Sequence, residues 1–179
     1  GGTLTVATVE SPTNSQYSAV VEKVAADGTT ATVEKASLSD VRTTANNGKI
    51  DLRTPNGALT INGGSDDSSS VGVSADGSGA VALKATGSTG TRTLTVNADV
   101  LSGSGLFDLY AEEALTVGAG VSLTTGTGGV VRVESGAAGL GLGAGSSVTT
   151  SGGGLLFVAG KTTVTVDDNS TLTGGTGGL

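Results

Sequence analysis

A short Leu-x-Val pattern that returns along the chain sets the limits on how it folds. Leu59-Thr60-Ile61, Leu94-Thr95-Val96, Leu115-Thr116-Val117, Leu140-Gly141-Leu142 and Val164-Thr165-Val166 share it, and the last four begin 21, 25 and 24 residues apart. Each copy opens a unit with two further alternating segments between Gly-rich turns. The second segment, a weaker one, holds Val71/Val73, Val121/Leu123, Val148 and Leu172. The third holds Ile50/Leu52, Val81/Leu83, Phe107/Leu109, Val131/Val133 and Leu156/Val158. Period-two alternation puts each apolar pair on one side of a strand. A single unit has too little apolar surface to bury its own pairs, so the units must stack and bury them together.

A meander or sandwich would show hairpins and strands of five or more residues. Here equivalent residues recur once per unit, and the segments are shorter. The expected fold is therefore all-β: a parallel β-solenoid, or β-helix, with three short strands per coil. About seven coils at the interstrand spacing of roughly 4.8 Å would make a rod of roughly 35 Å. Composition agrees. Of 179 residues, 32 are Gly but only 2 are Pro, and Phe and Tyr number 2 each, with no Trp, Met, Cys or His. Disordered chains are Pro-rich and poor in aliphatic residues, whereas Val and Thr, abundant here, favour strands. A core filled by Val, Leu, Ile and Ala alone is thin and layered.

The stacking assigns the outward positions. On the first strand they are Thr60, Thr95, Thr116, Gly141 and Thr165, with Thr5 of "TLTV" a further candidate. On the second they are Gly72, Ser122, Ser147 and Thr171; on the third, Asp51, Ala82, Asp108, Arg132 and Phe157. Residues 1–37 differ. "QYSAVVEKVAADGTTATVEKAS" has two β-like runs around the turn signal "ADG". A short helix over 18–26 is the alternative, since Val20, Val21 and Val24 share a helical face. "LSDVRTTANNGKIDL" resembles "VSLTTGTGGVVRV", which divides the chain into a cap or atypical first coil over 1–37 and a solenoid over 38–179.

"GKIDLRTPNGALTING" and "LTVGAGVSLTTGTGGVVRV" resemble the degenerate repeats of filamentous-haemagglutinin-type adhesins and other giant bacterial surface proteins, over roughly residues 38–179. That resemblance implies a right-handed parallel β-helix, secretion to the cell surface, and a stalk or adhesin role. The secretion-domain sequence that opens such exoproteins is not recognisable. The chain begins with Gly rather than Met, as expected of a processed chain or one cut from something longer.

Chemistry is sparse. Without His or Cys, no Ser/His or Cys/His nucleophile can be built. Glycosidases and lyases need clustered acids, or a Lys/Arg base, on one face, and Asp108 falls between Ala82 and Arg132 on its ladder. Aromatic platforms for sugars are few: Tyr17, Phe107, Tyr110 and Phe157. "AGKTT" (159–163) lacks the first Gly of a phosphate loop and precedes "VTV", not a helix; it reads as a turn. "GLGLGAG" (139–145) is likewise a glycine run with no flanking helix. "NST" (169–171) matches a glycosylation acceptor, a frequent chance match. Paired acids with nearby hydroxyls make Asp66, Asp67, Asp167 and Asp168 calcium candidates. The Asp in every nonapeptide that marks calcium solenoids is absent, so solvated turns are the simpler reading. The expectation is a non-enzyme with no required cofactor.

A net charge of −7 and no Lys/Arg cluster disfavour nucleic acid, and no apolar run reaches membrane-spanning length. The expected function is a structural segment of a secreted surface fibre or adhesin, self-associating end to end or continuing in a longer repeat array. The rival is a module that recognises a glycan, a receptor or ice through one side of the rod. Ice binding would want paired outward Thr on a flat surface. Of Thr93/Thr95, Ala114/Thr116, Gly139/Gly141 and Thr163/Thr165, two break that pattern.

Overall fold

Three parallel sheets wrap one apolar column in the computed structural model, which describes residues 4–6, 9–10, 20–24, 30–34, 37–38, 40–63, 70–152, 154 and 156–175. The first face is built from Leu4–Val6, Leu59–Ile61, Leu94–Val96, Ala114–Val117, Gly139–Leu142 and Val164–Val166. The second is built from Val41–Arg42, Val71–Ser74, Asp99–Ser102, Ser122–Thr127, Ser147–Ser151 and Thr171–Thr173. The third is built from Ile50–Pro55, Val81–Thr86, Phe107–Ala111, Val131–Ser135 and Leu156–Gly160. Every neighbour within a face is parallel and one coil away in sequence, apart from Leu4–Val6 beside Leu59–Ile61. Among the described residues there is no helix, and so none long and apolar enough to cross a membrane.

The chain makes four complete consecutive turns between Leu59 and Gly160, with further strands at either end. Faces of six, six and five strands fall short of the seven coils expected. Residues 1–37 are expected to form a cap or an atypical first coil; Val20–Val24 and Thr30–Glu34 pair with each other as an antiparallel hairpin, and Val9–Glu10 pairs antiparallel with Ser37–Leu38. Strands, not a helix, therefore occupy the Val20–Val24 segment. Leu4–Val6 does join the first face, Thr5 beside Thr60, and the next described strand of the three faces is Val41–Arg42. Six stacked strands span roughly 24 Å.

The expected register holds on the first face. Leu59, Leu94, Leu115, Leu140 and Val164 stand in one column, and Ile61, Val96, Val117, Leu142 and Val166 in the next. From Leu59 to Leu142 these side chains are 0–2% exposed. On the third face Ile50, Val81, Phe107, Val131 and Leu156 form one inward column. Phe107 sits at its middle, fully buried. A column of this kind gains in two ways: each residue buries its own apolar area, and it packs against its equivalents above and below.

The second face departs from the expectation at one point. Gly72 is buried, not outward, because Asp99 pairs with Val71 and Val100 with Val73, leaving Gly72 as an extra, bulged residue. A Cβ there would lie 2.8 Å from Ile61 Cγ2, so a glycine is what lets the bulge form. Ser122, Ser147 and Thr171 follow the expected ladder, and Ser147 Oγ donates to Ser122 Oγ at 3.2 Å.

A buried hydroxyl column closes this face. Ser102, Thr125 and Thr150 are 5%, 0% and 2% exposed, at the strand ends beneath the glycine turns. Thr125 Oγ1 donates to the Gly103 carbonyl at 2.6 Å, Ser102 Oγ to that of Gly79 at 3.2 Å, and Gly175 N donates to Thr150 Oγ1 at 2.7 Å. Turn backbone carbonyls and amides that point inward thus find partners within the protein, as buried backbone must. Asparagines do the same outside: Asn56, at φ 58°, accepts from the Ser88 and Thr89 amides at 2.9 and 3.0 Å, and Asn47, at φ 56°, from Ser78 at 2.8 Å.

Candidate functional site

The outward side of the third face and the corner where it turns into the first hold most of the charge chemistry of the described residues. The ladder Asp51, Ala82, Asp108, Arg132, Phe157 forms as the stacking predicts. Two residues further along each strand runs a second ladder, Arg53, Lys84, Tyr110, Glu134, Ala159. Side chains two apart on a strand point the same way, so the two ladders lie side by side and neutralise each other.

Asp51 accepts from Arg53 Nε at 2.6 Å and Nη2 at 2.8 Å. That bidentate guanidinium holds the carboxyl below its usual range, outweighing the opposing effect of partial desolvation. Asp108 sits between the ladders' cations. It pairs with Lys84 and stands 3.8 Å from Arg132, and its side chain is 8% exposed. Arg132 turns its other nitrogen to Glu134, and that hydrogen bond raises the already high guanidinium pKa. Phe157, the last residue of the first ladder, is 59% exposed.

At the corner the turns stack as well. Gly136 N donates to Ala111 O at 2.8 Å, Ala137 N to Glu112 O at 3.0 Å, and Lys161 N to Ser135 O at 3.1 Å. This puts Glu112, Gly136 and Lys161 at equivalent places on three successive coils. The middle place carries no side chain, and a groove of about 390 Å³ opens over it, lined by Tyr110, Glu112, Glu134, Lys161 and Arg92. That size is in the range of small-ligand sites. Arg92 comes from the long connection before Leu94 and is locked in place: its backbone N and Nη2 both donate to the Glu113 carboxylate, at 3.0 and 2.8 Å. Tyr110 Oη donates to Glu112 Oε2 at 2.8 Å, and this bond, with partial desolvation, raises the phenol pKa above its ordinary 10.0.

Of the four calcium candidates, Asp167 and Asp168 fall among the described residues. Asp167 and Asp168 are exposed in the turn after Val164–Val166, where the Asp167 amide donates to Leu142 O at 3.0 Å and the Asp168 carbonyl accepts from Gly145 N at 2.9 Å. Asp66 and Asp67 lie outside the described residues. Among the described residues no group of three or more His, Cys, Asp or Glu side chains is placed to hold a metal ion. "AGKTT" covers the last two residues of Leu156–Gly160 and the three-residue turn that leads to Val164–Val166. Of the four aromatics, Phe107 is buried, Phe157 and Tyr110 face outward, and Tyr17 lies outside the described residues.

The groove was not foreseen. Its side chains are dispersed from Arg92 to Lys161 and match no motif. The available signal was the first charged ladder: continuing the same register by two residues pairs Tyr110 with Glu134. Comparison with protein-family models, curated proteins and solved structures finds no match to this chain.

Proposed function

We propose that this chain is a structural, non-enzymatic building unit of a secreted bacterial surface fibre or adhesin. One observation carries the reading. The parallel ladders run on to Val164–Val166 and Thr171–Thr173, and there the inward residues open to solvent. Val164, Val166 and Leu172 are 45%, 46% and 37% exposed, while their equivalents one coil earlier, Leu140, Leu142 and Val148, are at most 2% exposed. Strand edges with free backbone groups and an apolar lining are templates for more β structure of the same kind. The same edge would take a second copy end to end, or the coils of a longer array; a head-to-tail contact does not close on itself and yields a filament. The coil is right-handed in this reading, the hand that parallel crossovers almost always take. The extracellular setting follows from the resemblance of the repeats to those of giant surface adhesins.

Sedimentation velocity over a wide concentration range tests the proposal. Association that grows with concentration, and that Val166→Asp suppresses while the melting temperature is kept, supports it. A monomer at every concentration, with the Val164–Val166 amides strongly protected from hydrogen exchange, overturns the end-to-end contact.

A further inference from the structure

We propose that the corner groove over Gly136 binds a neutral saccharide, which adds a recognition role to the structural one. Four features of the groove define what fits it.

Charge comes first. The lining holds two cations, Arg92 and Lys161, and two carboxylates, Glu112 and Glu134. The groups that pair with them, Glu113 and Arg132, again balance. A groove without net charge offers no electrostatic gain to an anionic or a cationic ligand.

The second feature is free hydrogen-bonding capacity of both signs. The Lys161 ammonium has no partner among the described residues. Glu112 accepts the Tyr110 hydroxyl through one oxygen, which leaves acceptor sites on the other. A ligand must therefore bring donors and acceptors together at close spacing. Vicinal hydroxyls do this, since each hydroxyl is both.

The third feature is the surface between these polar groups. Tyr110, Ala137 and Ala159 contribute ring and methyl surface to the lining. A pyranose has apolar C–H surface bounded by hydroxyls, which matches such an arrangement. Tyrosine also supplies contact area at low entropic cost.

The last is preorganisation. Tyr110 is held by Glu112, Glu134 by Arg132, and Arg92 by two bonds to Glu113. Gly136 has no room for a side chain, because a Cβ there would overlap the Glu112 carbonyl oxygen. The empty place in the ladder is thus built into the backbone, and little ordering remains to oppose binding.

The test is isothermal titration of the full chain with neutral hexasaccharides of glucose, galactose and mannose, beside sulfated and sialylated counterparts. At least one neutral sugar binds with a Kd below about 1 mM. Tyr110→Ala weakens that binding at least about tenfold, as loss of a central aromatic anchor does, and Tyr110→Phe weakens it less. Lys161→Ala, on an exposed side chain, weakens binding without moving the melting temperature, which keeps the test decisive if Tyr110→Ala perturbs folding. Binding of none of the neutral sugars, binding of the anionic ones alone, or binding indifferent to both alanine substitutions overturns the proposal.

Discussion

Gly136 lies one coil beyond Glu112, and the backbone there approaches so closely that a Cβ on Gly136 would overlap the Glu112 carbonyl oxygen. The contact is backbone to backbone, with no flexible side chain able to move aside. Gly136→Ala therefore destabilises the protein by about 2 kcal/mol or more. Gly141 is the contrasting case. A Cβ there meets nothing within 4 Å, and its neighbours in the outward column are Thr116 and Thr165. Gly141→Thr completes a threonine ladder and leaves stability unchanged or raises it by up to about 1 kcal/mol. Urea unfolding of the two variants, analysed with a common m-value, checks both.

Val117 and Thr116 are adjacent and point opposite ways. Val117 is fully buried between Val96 and Leu142, and Thr116 is exposed. Val117→Asp places an unpaired carboxylate in the apolar column and costs at least about 3 kcal/mol. Thr116→Asp costs under about 1 kcal/mol. Thermal melts that ranked the two the other way would mean the register is displaced by one residue.

Asp108 links three coils through Lys84 and Arg132. Asp108→Ala leaves the half-buried Lys84 ammonium without its carboxylate and costs about 1–3 kcal/mol. Arg132→Ala costs under about 1 kcal/mol, because that side chain is 49% exposed and Asp108 keeps Lys84. A double-mutant cycle over Lys84 and Asp108 gives a larger coupling than one over Arg132 and Asp108.

Tyr110 sets a limit at alkaline pH. Its pKa is raised above the ordinary 10.0 by the hydrogen bond to Glu112 and then by desolvation. A group whose pKa is higher in the folded than in the unfolded state binds its proton more tightly when folded. Its stabilising contribution is complete below pH 10 and is lost as pH rises through the raised value. In a Tyr17→Phe background, the tyrosinate absorbance of the native protein appears at higher pH than in urea. Glu112→Gln brings the two titrations closer together.

Ionisation of Asp51 acts at the other end of the scale. Its pKa lies below the ordinary 3.8 because Arg53 hydrogen-bonds the charged form. A lowered pKa contributes stability above the unfolded value and loses it as pH falls through the folded one. Asp51→Asn therefore narrows the gap between melting temperatures measured at pH 7 and near pH 3. The change is small, because both side chains are about half exposed to solvent.

The sequence by itself determined the all-β class, the parallel stacking, the inward columns from Leu59 to Leu142, and the ladder that sets Asp108 beside Arg132. Each follows from period-two alternation repeated once per coil: that pattern decides which side of a strand is apolar, and the repeat length decides which residues meet. It could not determine how many coils form. The turn signal "ADG" separates the β-like runs that become Val20–Val24 and Thr30–Glu34, but the three-dimensional pairing decides that they pair with each other and not with the solenoid faces. Nor could it locate the bulge at Gly72 or the inward turn of Thr125 and Thr150, since these depend on backbone carbonyls that no side-chain pattern encodes. The corner groove is likewise a product of the tertiary structure. Arg92, Tyr110, Glu134 and Lys161 are far apart in the chain, and stacking of the coils brings their side chains around the place that Gly136 leaves empty.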